Sequence, residues 1–416
     1  MSRRPLEGIR VVEFGVWHAG PGAGAILGDL GAEVIKIESL AGDPERKQGN
    51  FGPINTRSVD RDDWCVLFDM SNRNKKSLCI DIARPEGYEV LRRLVEKADV
   101  FMTNLRNDTT VRYRVDYESI RLINPTIVHL GVSAYGAKGP LANEGGFDSL
   151  GQAISGLLFL RDQDDPAPLQ ALILDQLAAI TASHAAITAL LSRTLTGEGQ
   201  SVHTSLYGAA TWMTHANLLF TSALKKNLDL TTFDRRKNSP LRTTFKCGDG
   251  RWVMSTNHPE HVHWPTLCRA IGLPGLVDDP RFTTREDRLE HSDALFDVLD
   301  AKFREKTSRE WIELARAEGL MFTPIQRVGD VLTDEQARAN GYVVDFRHEY
   351  LGELAVPGFP VEFSGAEAGM QSRAPERGEH SREVLEAVGY SPEEIERLHS
   401  SGVALLREEA AEPAAV

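Results

Sequence analysis

Four cysteines in 416 residues, none in a C-x-x-C pair, leave this chain without the makings of a disulfide framework or a zinc cluster. Cys65, Cys79, Cys247 and Cys268 are scattered, a usage that fits a reducing compartment and makes the cytoplasm the expected location. No apolar run approaches the roughly 20 residues that a bilayer-spanning helix needs, so no membrane partner is expected. The segment from Met1 to Gly8 lacks the apolar centre of a secretory signal. Positive charge is also in deficit: 47 basic against 60 acidic residues give a net charge of −13. That balance argues against a nucleic-acid partner.

What the chain does have is alternation. Residues 9–15 read as a short β-branched strand ending in glycine, and residues 20–31 as a glycine-rich turn with a small-residue helix. Strand patterns recur at 33–38, 77–82, 99–102 and 127–132, with a helix near 85–97. Strands spaced by helices predict parallel βαβ units and an α/β fold with a doubly wound, Rossmann-like large domain. A long helix follows over residues 176–195, ended by Thr196-Gly197-Glu198-Gly199, and another over 207–226. The polar stretch 227–242 reads as a linker into a smaller α+β domain. There a hairpin over 243–256 turns at Gly248-Asp249-Gly250, and helices follow near 261–271, 287–304 and 308–318. A strand over 356–363, a capped helix over 391–398 and a frayed tail over 408–416 complete the chain. The expected division is 1–226, 227–342 and 343–416, the last returning to the large domain.

One acid stands out. Asp175 sits in Leu172-Ile173-Leu174-Asp175-Gln176-Leu177-Ala178-Ala179-Ile180, the only charge in an aliphatic run. Burying an unpaired charge costs several kcal/mol, on the order of the penalties seen for isolated ions. Asp175 is therefore the N-cap of the helix that follows, a catalytic carboxylate in a dry site, or both, since the two roles are compatible. A second feature, Gly20-Pro21-Gly22-Ala23-Gly24-Ala25, satisfies G-x-G-x-x-A after a strand, with Glu38 where a ribose-binding acid would stand. Dinucleotide binding and close helix–strand packing both account for it. Basic residues cluster at Arg73-Asn74-Lys75-Lys76, at Arg106 with Arg112 and Arg114, and at Arg235-Arg236-Lys237. Solvated faces or an anionic small molecule explain such clusters. His258, His261 and His263 have no acid or cysteine completing a ligand set, so no metal is expected.

Taken in order, several segments resemble the class III CoA-transferase family (CaiB/BaiF), which includes formyl-CoA and carnitine CoA-transferases. They are Pro5-Leu6-Glu7-Gly8-Ile9-Arg10-Val11-Val12-Glu13, Ala19-Gly20-Pro21, Gly31-Ala32-Glu33-Val34-Ile35-Lys36-Ile37-Glu38 and Asn74-Lys75-Lys76-Ser77. Further on come Ala134-Tyr135-Gly136, Gly139-Pro140, Gly146-Phe147-Asp148, Thr196-Gly197-Glu198-Gly199-Gln200, Asp279-Pro280-Arg281-Phe282 and Gly378-Glu379-His380. The resemblance covers nearly the whole chain. It implies that Asp175 is a nucleophile moving CoA from an acyl-CoA donor to a carboxylic-acid acceptor, through aspartyl anhydride and aspartyl-CoA thioester intermediates. Amides near Gln176 and Leu177 would stabilise the oxyanion or keep Asp175 ionised.

It further implies a CoA site at His18, Ala19, Asn74, Lys75, Asn104 and Arg112, with Tyr135 close to the active-site loop. CoA then enters as a substrate, with no tightly bound cofactor, and the protein forms an interlocked homodimer. The chain departs from the family at Leu174, where many relatives have glycine, and at Ser39, where some place an arginine. No obvious glycine-rich shielding loop is present; Asn238-Ser239-Pro240-Leu241 lies in that neighbourhood. Three alternatives stay open: an α-methylacyl-CoA racemase, a non-catalytic CoA-binding subunit and a nicotinamide-dependent oxidoreductase. The first is disfavoured because Phe147 stands where racemases carry a histidine, and phenylalanine exchanges no proton.

Overall fold

The computed structural model describes residues 3–51, 54–55, 65–160, 165–169, 172–225 and 234–407. The chain divides into two compact units, one of residues 1–228 with 339–416 and one of residues 229–338. The expected tail over 408–416 and residues 227–233 of the expected linker lie outside the described residues.

The large unit is built on a seven-stranded sheet. Its strands are β1 (Arg10–Glu13), β2 (Glu33–Glu38), β3 (Lys75–Ile80), β4 (Val100–Thr103), β5 (Val128–Ser133), β6 (Gln200–Ser205) and β7 (Ala404–Leu405). They lie in the order β7-β3-β2-β1-β4-β5-β6. Every pairing is parallel except that of β7 with β3. The order 3-2-1-4-5-6 is that of a doubly wound sheet, with β1 at the switch point. Neighbouring residues on a strand face opposite ways, and the two cores show it. Val11, Val34, Val100, Met102, Val128 and Leu130 belong to one hydrophobic cluster, while Val12, Ile35, Ile37, Leu78 and Phe101 belong to another. Both faces are covered, which is why these strands read as near-continuous apolar runs.

Two helices of the first cluster, α1 (Ala19–Asp29) and the longer Ile173–Thr196, pack on each other. Small residues set their spacing. A Cβ on Gly22 would lie 3.0 Å from the Cβ of Ala179, and one on Gly24 would lie 2.0 Å from Glu13 Oε2. The glycines of the G-x-G-x-x-A pattern are thus buried inside α1 and serve close packing. The 24-residue helix Ile173–Thr196 has the length and mean hydropathy (1.3) of a membrane span, which the sequence reading did not anticipate. Its Ala178, Ala179, Ala182, Ala186 and Ala189 are buried in the large unit's core.

In the small unit, Thr244–Lys246, Trp252–Ser255 and Phe322–Ile325 form a three-stranded antiparallel sheet, so the predicted hairpin forms. Phe245 stacks on Phe303 at 4.0 Å between ring centres. The predicted helix over 287–304 is two, Arg285–Glu290 and Ser292–Phe303, broken at His291. Similarly, the predicted helix over 207–226 divides at Thr214 into Leu206–Met213 and His215–Leu224. The strand expected over 356–363 lies earlier, at Gly352–Pro357, where it pairs with Val343–His348. Pro392–Ser400 is capped by Ser391 and Glu394 in a reciprocal box, as its sequence suggests.

Candidate active site

A cavity of about 790 Å³ opens in the large unit between the turn after β1, the segment after β4, the segment after β5 and the start of helix Ile173–Thr196. Ligands of open α/β sheets bind beyond the carboxyl ends of the strands, and this cavity lies there. The turn after β1 is closed by Asn104, whose side chain accepts from Val16 N–H at 2.9 Å and donates to Val16 O at 2.6 Å. The backbones of Gly15 and Gly20 press so close to Asn104 that a Cβ on either would stand under 3 Å from its side chain. Trp17 takes a positive φ of 61°, and its N–H donates to Asp43 Oδ1 at 3.1 Å.

His18 precedes α1 and is buried. Its Nε2 lies 2.7 Å from Gln176 Nε2, and its Nδ1 stands 3.6 Å from Glu45 Oε1, beyond hydrogen-bond distance. Trp17 and Phe147 meet edge to face across the cavity wall at 5.6 Å.

Asp175 is the third residue of its helix, which begins at Ile173 after Leu172 in a left-handed conformation (φ 49°, ψ 36°). It is therefore not the N-cap. The capping acid is Asp148, first residue of α2 (Asp148–Ile154). One Asp148 oxygen, Oδ2, accepts from the N–H of Leu174 at 2.7 Å and from that of Asp175 at 3.1 Å. These are orphan donors that a helix start must satisfy from outside. The backbone N–H of Gln176, by contrast, donates to Leu172 O at 2.9 Å. The expectation of free amides at Gln176 and Leu177 fails because the helix starts three residues earlier than its sequence pattern suggests. Burial pushes the Asp175 carboxyl up to about 7; the charges of Asp148 and Glu45 add to the rise and His18 opposes it.

Of the residues singled out from sequence, the cavity gathers His18, Ala19, Asn104 and Asp175. The others are placed elsewhere. Lys75 is buried, and its ammonium donates to Glu13 Oε2 and Pro21 O, each at 2.7 Å, and to Asn72 Oδ1 at 3.0 Å. Burial beside Lys36 lowers its pKa to about 8 in spite of Glu13. A lysine so engaged is not available to a phosphate, a correction to the sequence expectation. Asn74 likewise serves the fold: it donates to Asp29 and Gly369 O and accepts from the amides of Gln371 and Ser372. Tyr135 packs half-buried against the core beside Gly146. Arg112 is exposed and stacks over Tyr113 at 4.9 Å. Arg106, the residue just before the short helix Asn107–Arg112 that Arg112 ends, does line the cavity. Glu38 is no ribose acid here. Burial alone would raise its pKa, but two bonds to Arg46, at 2.7 and 2.8 Å, and the nearby Lys36 hold it at about 2.

Sequence reasoning passed over Asp148, Glu45 and Arg106 as site residues. The Gly146-Phe147-Asp148 string was on view, but its aspartate announces a cap only once the partner helix, 26 residues later, is seen to start there.

Residues 6–381 match the family model described as CoA-transferase family III. The chain belongs to that family. It is 31% identical to the (R)-2-hydroxy-4-methylpentanoate CoA-transferase of Clostridioides difficile, over 96% of this chain and 99% of that protein. It is also 31% identical to the succinyl-CoA:glutarate CoA-transferase of Mus musculus, over 97% of this chain and 91% of that one. Among solved structures, a CAIB/BAIF family protein from Brucella suis superposes with a TM-score of 0.81 at 28% identity, covering 93% of this chain and all of that one. In this class III CoA-transferase Asp175 is a half-buried carboxylate on the wall of that cavity.

Proposed function

We propose that the enzyme moves CoA from an acyl-CoA to a free carboxylic acid with Asp175 as nucleophile. The observation that carries this reading is Asp175 itself, lining the cavity at a capped helix start and about half ionised near neutral pH. The Asp175 carboxylate attacks the thioester carbonyl, and the C–S bond breaks to give a mixed anhydride and CoA thiolate. The thiolate attacks the aspartyl carbonyl of that anhydride, forming the aspartyl-CoA thioester and releasing the donor acid as its carboxylate. An acceptor carboxylate then attacks this thioester and repeats the two steps in reverse, leaving as its CoA ester and restoring Asp175. Burial of the nucleophile makes it a stronger attacker than a hydrated carboxylate once it is ionised. Arg106 at the cavity and exposed Arg112 on the same short helix supply cations for the phosphates of CoA. CoA is a substrate in this scheme, and no tightly bound cofactor takes part.

We further propose a homodimer, interlocked as the family resemblance implies. The helix His215–Leu224 buries none of its residues in this chain. Leu218, Leu219, Phe220 and Leu224 are exposed on it, and Trp212 just before it is 76% exposed. Such a surface calls for cover.

The test is intact-protein mass spectrometry after incubation with a panel of acyl-CoAs, then borohydride reduction and peptide mapping. A modification mapped to Asp175, absent from Asp175→Ala, is the expected result. Measurable CoA binding with no adduct from any thioester would favour a non-catalytic CoA-binding subunit. Exchange of an α-proton without an adduct would favour a racemase.

A further inference from the structure

The segment that carries Asp175 is held by one face of a short helix. Asp148 and Gln152, four residues apart on α2, lie on adjacent turns, and Gln152 Nε2 donates to Asp148 Oδ1. Gln152 is fully buried and grips Leu169 on both sides, donating to its carbonyl at 3.0 Å and accepting from its amide at 2.9 Å. Asp148, 7% exposed, takes the amides of Leu174 and Asp175. Together they fix the chain on both sides of Leu172, a non-glycine residue in the left-handed region. Such a conformation is strained for a residue that carries a Cβ and persists only where its surroundings impose it.

A neutral cap would have satisfied the two amides. Serine, threonine and asparagine cap helices as well as aspartate does. Here the cap is a buried carboxylate with no cation paired to it among the described residues, placed beside a second carboxylate. Like charges in one site resist joint ionisation. We propose that Asp148 is the positioning residue of the nucleophile: its oxygen sets the backbone of Asp175, and its charge beside that carboxyl works against the ionisation Asp175 needs in order to attack. The inference rests on the reading of Asp175 as nucleophile for the second part only.

Among the described residues, the charged and titratable groups facing Asp175 are His18 from the turn before α1, Glu45 from the 3-10 turn Pro44–Lys47 and Asp148 from α2. His18 draws the carboxyl toward ionisation, and the two acids push against it. An ionised Asp148 also favours the helix start, whose free amides carry partial positive charge. The charge best suited to hold the helix is thus the one that delays ionisation of the nucleophile.

The experiment compares Asp148→Asn and Asp148→Glu with the wild type in two measurements. The first is an infrared pH titration of the protonated-carboxyl band that disappears in Asp175→Asn; it requires no turnover. The second is the pH dependence of adduct formation with an acyl-CoA. Asp148→Asn keeps an acceptor oxygen and loses the charge, so the infrared midpoint and the acid limb of adduct formation move together to lower pH, by roughly one unit. Asp148→Glu keeps the charge on a longer arm, so the midpoint stays near that of the wild type while adduct formation slows about tenfold or more. An unmoved midpoint in Asp148→Asn, or an equal fall in both variants, overturns the proposal and leaves Asp148 a helix cap. Should Asp148→Asn fail to fold, Asp148→Glu decides alone: a retained midpoint with slowed adduct supports the proposal and a fallen midpoint overturns it. If the wild type titrates as expected but forms no adduct, it is the transferase reading of Asp175 that fails.

Discussion

Two sets of buried or half-buried carboxylates lie near the carboxyl ends of the same central strands, and they behave in opposite ways. In the first set each acid has a cation. Glu13 at the end of β1 is opposite Lys36 of β2 in the strand register and accepts from both Lys36 (3.1 Å) and Lys75 (2.7 Å). Asp43 lies 2.9 Å from Lys36, and Glu38 is held by Arg46 and Ser77. Burial opposes the charge of Lys36, but Asp43, Glu13 and Glu38 more than restore it and raise its pKa. In the second set, Asp175, Asp148 and Glu45 share a cavity wall with His18. Desolvation is the largest influence on Glu38 and on Asp175 alike, yet one is held at about 2 and the other at about 7. Burial is common to both. The presence of a fixed cation decides whether the carboxyl is held ionised or pushed toward its protonated form.

That contrast can be broken at several points. The largest effect is expected from Asp175→Ala, which removes the proposed nucleophile: CoA transfer falls by roughly 10⁴-fold or more while CoA binding persists, measured by turnover and by calorimetry. Next comes Lys36→Met, which deprives Asp43 and half of Glu13 of their cation. Its cost is about 3–5 kcal/mol in urea unfolding, since one partner of a buried pair is left uncompensated.

Gly24→Ala pushes a methyl group onto Glu13 Oε2 and is expected to cost roughly 2 kcal/mol in the same assay, without any change in nicotinamide cofactor binding. An effect of similar size has the opposite sign. The folded chain holds the Asp175 proton more tightly than the unfolded chain does, so the resulting penalty is absent below about pH 4 and complete above about pH 7. Asp175→Asn therefore raises stability by roughly 1–3 kcal/mol at pH 8 and leaves it nearly unchanged at pH 4, read from melting temperatures at the two pH values. Glu38 runs the other way: its contribution is complete above the unfolded carboxylate pKa of about 4.3 and is lost as pH falls toward about 2.

Much of the frame was legible. The parallel strands announced themselves because a sheet covered on both faces needs apolar residues at consecutive positions, as in Val11-Val12 and Val34-Ile35. Asp175 was legible for the opposite reason, as the one charge in such a run. The motif at Gly20 to Ala25 was visible but ambiguous, since glycine permits close approach equally to a pyrophosphate and to Ala179 or Glu13. Lys75 misled because a basic cluster in sequence says nothing about which way each side chain points: its neighbour Lys76 reaches Glu33 and Glu383 at the surface, while Lys75 turns inward. The second-unit helix that breaks at His291 was read through because both halves share one amphipathic pattern.

By itself, then, the chain's pattern determined the alternation of strands and helices, the family and the identity of the exceptional carboxylate. These follow from local periodicity and from residues adjacent in sequence. Tertiary structure alone decided which charges meet. Glu13 finds Lys75 62 positions away and Asp148 finds Asp175 27 positions away, and charge energies depend on those distances in space, through the surrounding dielectric, and not on separation along the chain.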